Sequence, residues 1–231
     1  MRHLNVYGID MKDYSVTEAM RMITEWLDGG SLKIVSFVSV QMLLAAAGDP
    51  SYKEWISFLD ITSPTSVDII EALGRLNHQR KREIEDGLLF FRMLKKLSDE
   101  NRKLFLITSD EDTMSASVSY LAEHAPGINL VGTSIYNDST NPDALINDIN
   151  IEFPDVIFSR ISDNSLRSFL PQRRDMLNAK IWVSLKEDFH SEGAPKDKPI
   201  HRLINRIRHL RFLDKVSKYT YPNTKNETES H

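Results

Sequence analysis

Lys103-Leu104-Phe105-Leu106-Ile107-Thr108 is a short apolar run closed by a polar residue, and Ser109-Asp110-Glu111-Asp112 follows it at once. A run of this length, bounded by turn and cap residues, reads as a strand buried on both faces. The acids after it suit the positive end of a helix, which the pattern carries to His124. The same strand-then-helix unit recurs on either side. Lys33–Val38 is a second buried-type strand, with helices expected over residues 41–47 and 51–59, the latter placing Trp55 inside. Residues 60–62 form a brief strand that turns at Ser63-Pro64-Thr65, and further strands are expected over 128–132, 155–159 and 179–184. Helices are expected over 67–76, 87–97 and 142–150, with 77–82 a polar loop rich in His, Arg and Lys. Upstream, residues 4–9 read as one strand. Ser15-Val16-Thr17-Glu18 has the spacing of a capping box, opening a helix that runs to Leu27 and stops at Gly29-Gly30.

Strands alternating with helices imply an α/β fold: a mostly parallel sheet with helices on both faces. Right-handed crossovers make it a Rossmann-like, doubly wound sheet. Ligands of such sheets bind beyond the strand carboxyl ends. The segments to read for chemistry are therefore 39–41, 63–68, 108–112, 160–167 and 184–188.

Composition narrows the function classes. The chain has 231 residues, 41% hydrophobic and 27% charged, as expected of a globular protein with a real core. No apolar run approaches the roughly 18 residues of a spanning helix. The opening residues lack the apolar core of a signal peptide, so a cytoplasmic location is expected. With no cysteine there is no disulfide, thiol nucleophile or thiolate metal site. The seven histidines show no metal-ligand spacing, and the acid–histidine neighbourhood is His190 beside Glu187 and Asp188. Glycine is sparse, nine in 231, against about 7% in ordinary proteins. None of the nine builds G-x-G-x-x-G or a Walker loop, which argues against a glycine-built nucleotide cradle.

Net charge is −4, but residues 196–218 carry eight Lys and Arg against two Asp. A basic end on an acidic body points to an anionic partner there, a lipid surface or a diphosphate. Nucleic acid is disfavoured by the acidity of everything else. Residues 199–219 read as a long helix with Ile200, Leu203, Ile204, Ile207, Leu210, Leu213 and Val216 on one face. The expected organisation is a sheet domain over 1–195, a basic amphipathic appendage over 196–221 and a disordered tail over 222–231.

Several stretches resemble the WecG/TagA/CpsF glycosyltransferases. They are Leu4-Asn5-Val6-Tyr7-Gly8-Ile9-Asp10 with the Thr17-Glu18-Ala19 helix, Gln41 through Pro50, Leu104 through Ile107, and Ala125 through Thr133. The likeness runs from about residue 3 to 218. It implies transfer of an N-acetylmannosamine-type sugar from a UDP donor to a polyprenyl-diphosphate-linked sugar, without metal or other cofactor. The implied setting is the inner face of the bacterial membrane, in wall, common-antigen or capsule synthesis. It further implies that the basic appendage reaches the membrane and supplies arginines to the diphosphate, and that homo-oligomers form.

The family's active-site motifs are altered here. Thr-x-Asn after the second strand reads Phe37 and Ser39. Pro-Asp-Gly-x-Gly, whose Asp is the proposed base, reads Pro64-Thr65-Ser66-Val67-Asp68, so Thr65 holds the base position and Asp68 lies three residues on. Arg-Val-x-Gly-x-Asp reads Glu83 through Leu88, with Glu83 in place of the arginine. Gly-Gly after the central strand reads Thr108-Ser109, and Gly-x-Pro-Lys-Gln-Glu falls on Ser162 through Arg167. Threonine is no base at neutral pH. Added acids at 163, 187 and 188 repel a diphosphate.

The leading reading is a divergent family member with weak or lost catalysis, acting as partner or regulator of an active transferase near the membrane. The alternative is an active transferase with Asp68 as relocated base, Ser39 and Gln41 on substrate, and Arg206 and Arg208 on the donor. Each candidate also has a plainer reading: Ser39 and Thr65 as turn and cap residues, and Asp68 as a first-turn carboxylate. The Asp110–Asp112 cluster is a metal site or an acidic helix start. The basic residues of 78–82 form a phosphate-binding or a merely solvated loop.

Overall fold

A computed structural model describes residues 2–6 and 8–185. The chain opens with an antiparallel hairpin of β1 (Arg2–Val6) and β2 (Ile9–Asp13), in which Val6 pairs with Ile9. The single strand expected over 4–9 is thus two. Gly8, at φ +74°, turns the chain there, and its N–H donates to Asn5 Oδ1 at 3.0 Å. Ile9 and Met11 point inward, and the hairpin packs against the helix Pro50–Phe58 and the strand Ile61–Pro64.

Six parallel strands form the main sheet: β3 (Lys33–Val38), β4 (Ile61–Pro64), β5 (Lys103–Thr108), β6 (Asn129–Ile135), β7 (Val156–Arg160) and β8 (Ile181–Ser184), in the order β4-β3-β8-β7-β5-β6. Odd and even positions of each strand feed two separate cores. On one face Ile34, Val38, Phe105, Ile107, Ile157 and Trp182 meet α2 (Val40–Ala47), α3 (Pro50–Phe58), α4 (Val67–Glu71), α8 (Pro142–Glu152) and α9 (Asp163–Arg173). On the other Val35, Phe37, Leu104, Leu106, Phe158 and Val183 meet α1 (Val16–Leu27), α6 (Leu88–Asp99) and α7 (Glu111–His124). Connections toward β4 run over the first face and those toward β6 over the second, as right-handed crossovers require.

Local chemistry sets most element ends. The Ser15–Glu18 capping box is formed in both directions and opens α1. Trp55 is buried, as expected. The helix expected over 67–76 stops at Glu71, and α9 was missed from sequence. The loop expected over 77–82 is instead α5 (His78–Glu85), capped by the Asn77 side chain on the Arg80 N–H at 2.8 Å. Its polar composition hid it, because its buried face is ionic. Glu83 and Arg80 face inward as an ion pair, and Arg80 also pairs with Asp13 on β2.

Between β5 and β7 the winding reverses. The chain leaves β5 over one face through α7 and leaves β7 over the other through α9. The crevice beyond these two carboxyl ends is the topological switch point, where doubly wound sheets take their ligands.

Candidate functional site

Ser39, Gln41, Thr65 and Asp68 gather at the carboxyl ends of β3 and β4, which pair Val38 with Pro64. Ser39 caps α2, its Oγ accepting the Met42 N–H at 3.2 Å. Gln41 lies exposed in the first turn of that helix. The Thr65 N–H donates to the Val38 carbonyl at 3.0 Å, and its hydroxyl donates to the same oxygen at 3.4 Å. Asp68 stands in the first turn of α4, its own N–H donating to the Ser66 cap at 3.3 Å. Ser39 and Thr65 therefore complete the strand-to-helix turns, and no carboxylate occupies the position of Thr65 itself. Phe37 is further from the rim. It points into the second core, edge-on to Phe90 with ring centres 6.3 Å apart.

Side chains of the chain itself cap the positive helix ends at the switch point. Asp110 caps α7: it accepts the Thr113 N–H at 2.7 Å, the Thr113 hydroxyl at 2.8 Å and the Ser109 hydroxyl at 2.6 Å. These bonds, the one from Ser109 foremost, hold its carboxyl below the usual range. It is an acidic helix start, and among the described residues no cluster of three or more metal-binding side chains exists. At α9 the cap is Ser162, which accepts the Ser165 N–H at 3.1 Å. Asp163, in the first turn of α9, accepts the Tyr52 hydroxyl at 2.6 Å. Burial, then that bond, pushes the Tyr52 phenol up. Arg167 lies over the Tyr52 ring, 4.3 Å from its centre, and donates to Asp49 at 3.2 Å and Ser51 at 2.6 Å.

Sequence reasoning missed the loop after β6. Tyr136, Asn137, Asp138 and Ser139 join Ser109, Ser162 and Ser165 around an open cleft of about 360 Å³. Asn137-Asp138-Ser139-Thr140-Asn141 is a polar turn cluster at a strand carboxyl end, and that was the available signal.

The model of the WecG/TagA/CpsF glycosyl transferase family matches residues 4–190. The chain belongs to that family. It is also 25% identical over 143 residues to cardiolipin synthase A of Wigglesworthia glossinidia brevipalpis. That likeness covers 60% of this chain and 29% of the relative, so the chain spans under a third of its length.

Within the WecG/TagA/CpsF frame the altered motifs have structural partners. Glu83, where the resemblance implies an arginine, is buried against Arg80 at 2.8 Å. Thr108 is buried at the end of β5, and its hydroxyl donates to the Asp110 carbonyl at 2.9 Å. Ser162 through Arg167, at the Gly-x-Pro-Lys-Gln-Glu position, supply the cap and the ties to α3. The basic residues of 78–82 lie on helix α5 rather than in a loop, and Arg80 among them is taken up by Asp13 and Glu83. Arg206, Arg208, the basic appendage, the tail and the His190 cluster lie outside the described residues. Among the described residues no helix is long and apolar enough to cross a membrane.

Proposed function

We propose that this WecG/TagA/CpsF family member has weak or lost sugar-nucleotide transfer and serves bacterial cell-surface polysaccharide synthesis as a partner or regulator of an active transferase. One observation carries the reading: Asp110 fills the amino end of α7, where a donor diphosphate would rest in a doubly wound sheet. A carboxylate already holding those donors repels a second anion. The position of the base supports the reading, because Thr65 carries no carboxylate and its hydroxyl donates a hydrogen bond to the Val38 carbonyl at 3.4 Å. The basic stretch 196–218 would hold the protein at an anionic membrane surface, at the cytoplasmic face, and a second copy of the chain is a further partner to consider.

Calorimetry of the full chain with UDP and with UDP-N-acetylhexosamines tests this. The expected result is no binding tighter than about 1 mM. Micromolar binding overturns it. Turnover of a UDP-sugar that Asp68→Asn abolishes would establish the rearranged-site transferase instead.

A further inference from the structure

The cleft at the switch point has the wrong chemistry for a diphosphate and a suitable one for a sugar. Its lining is hydroxyl, amide and carboxylate: Ser109, Asn137, Asp138, Ser139, Ser162 and Ser165, beside Tyr136. Among the described residues no lysine or arginine lines it. Arg173, whose charge Tyr136 feels, sits over the Phe169 ring with its guanidinium carbon 5.8 Å from the ring centre. Two carboxylates are on hand. Asp138 lines the cleft, and Asp110 abuts it through the Ser109 hydroxyl at 2.6 Å.

The walls are also held in place before any ligand arrives. Asn137 Oδ1 accepts the Ser139 N–H at 3.1 Å, the Ser139 hydroxyl at 2.6 Å and the Thr140 hydroxyl at 3.3 Å. Its amide nitrogen donates to the Ser109 carbonyl at 3.3 Å, locking the loop after β6 onto the loop after β5. Beneath them Tyr136 packs edge-on against Phe169, ring centres 5.2 Å apart. A rigid polar rim over an aromatic base loses little entropy on binding a polyol. About 360 Å³ lies near the lower end of small-ligand pockets.

We propose that this cleft binds an uncharged hexose unit of a glycan, bare of nucleotide and phosphate, with Asp138 accepting ring hydroxyls and the serine hydroxyls completing the contacts. The proposal rests on the reading that the sugar-nucleotide site is lost, and it names what the altered site retains. A carboxylate accepts two neighbouring hydroxyls at once, and serines donate or accept as the sugar demands. Uncharged hexoses meet no repulsion from Asp110 or Asp138, whereas a diphosphate meets both.

Amide NMR of the full chain, titrated with glucose, mannose, N-acetylglucosamine and N-acetylglucosamine disaccharide, and in parallel with UDP, tests it. At least one sugar should shift Ser109, Asn137, Asp138, Ser139 and Ser165 with a dissociation constant of about 1–10 mM, insensitive to added salt. Asp138→Ala should weaken that binding by about tenfold, and Ser139→Phe should abolish it by filling the cleft. Both sites are exposed loop positions, so the fold should stand; an unchanged spectrum away from the cleft checks this. No shift from any sugar at about 50 mM overturns this inference and leaves the proposed function intact. Equal sugar binding by Asp138→Ala and Ser139→Phe also overturns it. Micromolar UDP binding instead overturns the proposed function, and if UDP shifts these same residues the hexose inference falls with it.

Discussion

An arginine at position 83 should destabilise the protein strongly. Glu83 is 7% exposed and Arg80 11%. Glu83 Oε2 accepts Arg80 Nη1 at 2.8 Å and the Val16 N–H at 3.4 Å, and Oε1 accepts Gln79 Nε2 at 3.1 Å. Three segments meet there: β2 through Asp13, the start of α1 and the whole of α5. Removing one partner of a buried ion pair costs about 3–5 kcal/mol, because the remaining charge stays desolvated. Asp13 still compensates Arg80 in Glu83→Gln, so that variant should lose only about 1.5–3 kcal/mol of charged hydrogen bonding. Glu83→Arg adds a second guanidinium beside Arg80 and should reach the upper figure, about 4–5 kcal/mol. In a domain of this size each 1 kcal/mol moves Tm by about 2–4 °C, so Glu83→Arg should melt roughly 10–20 °C below the parent. Thermal melts by circular dichroism, with urea unfolding for the free energies, measure both variants. If Glu83→Arg lies within about 1 kcal/mol of the parent, the network is not what holds acid at this position.

Two further variants probe the sheet and its rim. A Cβ on Gly132 would come within 2.5 Å of the buried Phe105 ring, so Gly132→Ala should cost about 1–3 kcal/mol in urea unfolding, and an unchanged midpoint would show the ring can move aside. Asp110 has a lowered pKa in the fold, so its share of stability is full above the unfolded carboxyl value near pH 4 and fades as pH falls through the lower folded value. Asp110→Ser keeps an uncharged cap, and its stability should fall less steeply than the parent's from pH 4 to pH 2; parallel urea-derived profiles would contradict the assignment.

The sheet was legible because its strands are apolar on both faces. Lys33–Val38 and Lys103–Thr108 match their expected bounds to the residue, since each is a mostly apolar run with polar residues to either side. Family and fold class were legible too, from the stretches around Leu4, Gln41, Leu104 and Ala125. What stayed hidden was local order held by polar partners distant in sequence. Helix α5 has a buried face made of Arg80 and Glu83, and no hydrophobic period marks an ion pair completed by Asp13, 67 residues away. Helix α9 begins with Ser162-Asp163-Asn164-Ser165, which reads as loop until the cap is seen, and it carries Pro171 inside. The cleft was half visible. Its strand-end segments at 108–112 and 160–167 were singled out, but β6 was ended at Gly132, three residues short, so the turn at 136–139 had no place at the rim.

The altered motifs share one physical logic. Backbone donors at a helix amino end are satisfied either by a ligand or by the chain, and not by both at once. At α7 the chain has taken them, through Asp110, and at α9 through Ser162, with Asp163 beside it held by Tyr52. At position 83, where the resemblance implies an arginine, a carboxylate is part of the buried interior. Each of these side chains is tied into the fold, and on the proposed reading each stands where a sugar nucleotide would need something else. Restoring one motif therefore leaves the others opposed to it. Thr65→Asp would return a base to a rim whose α7 end is still occupied by a carboxylate. On the proposed reading, a return to transfer would require Asp110 and Thr65 to change together, with Glu83 left in place to keep its buried pair with Arg80.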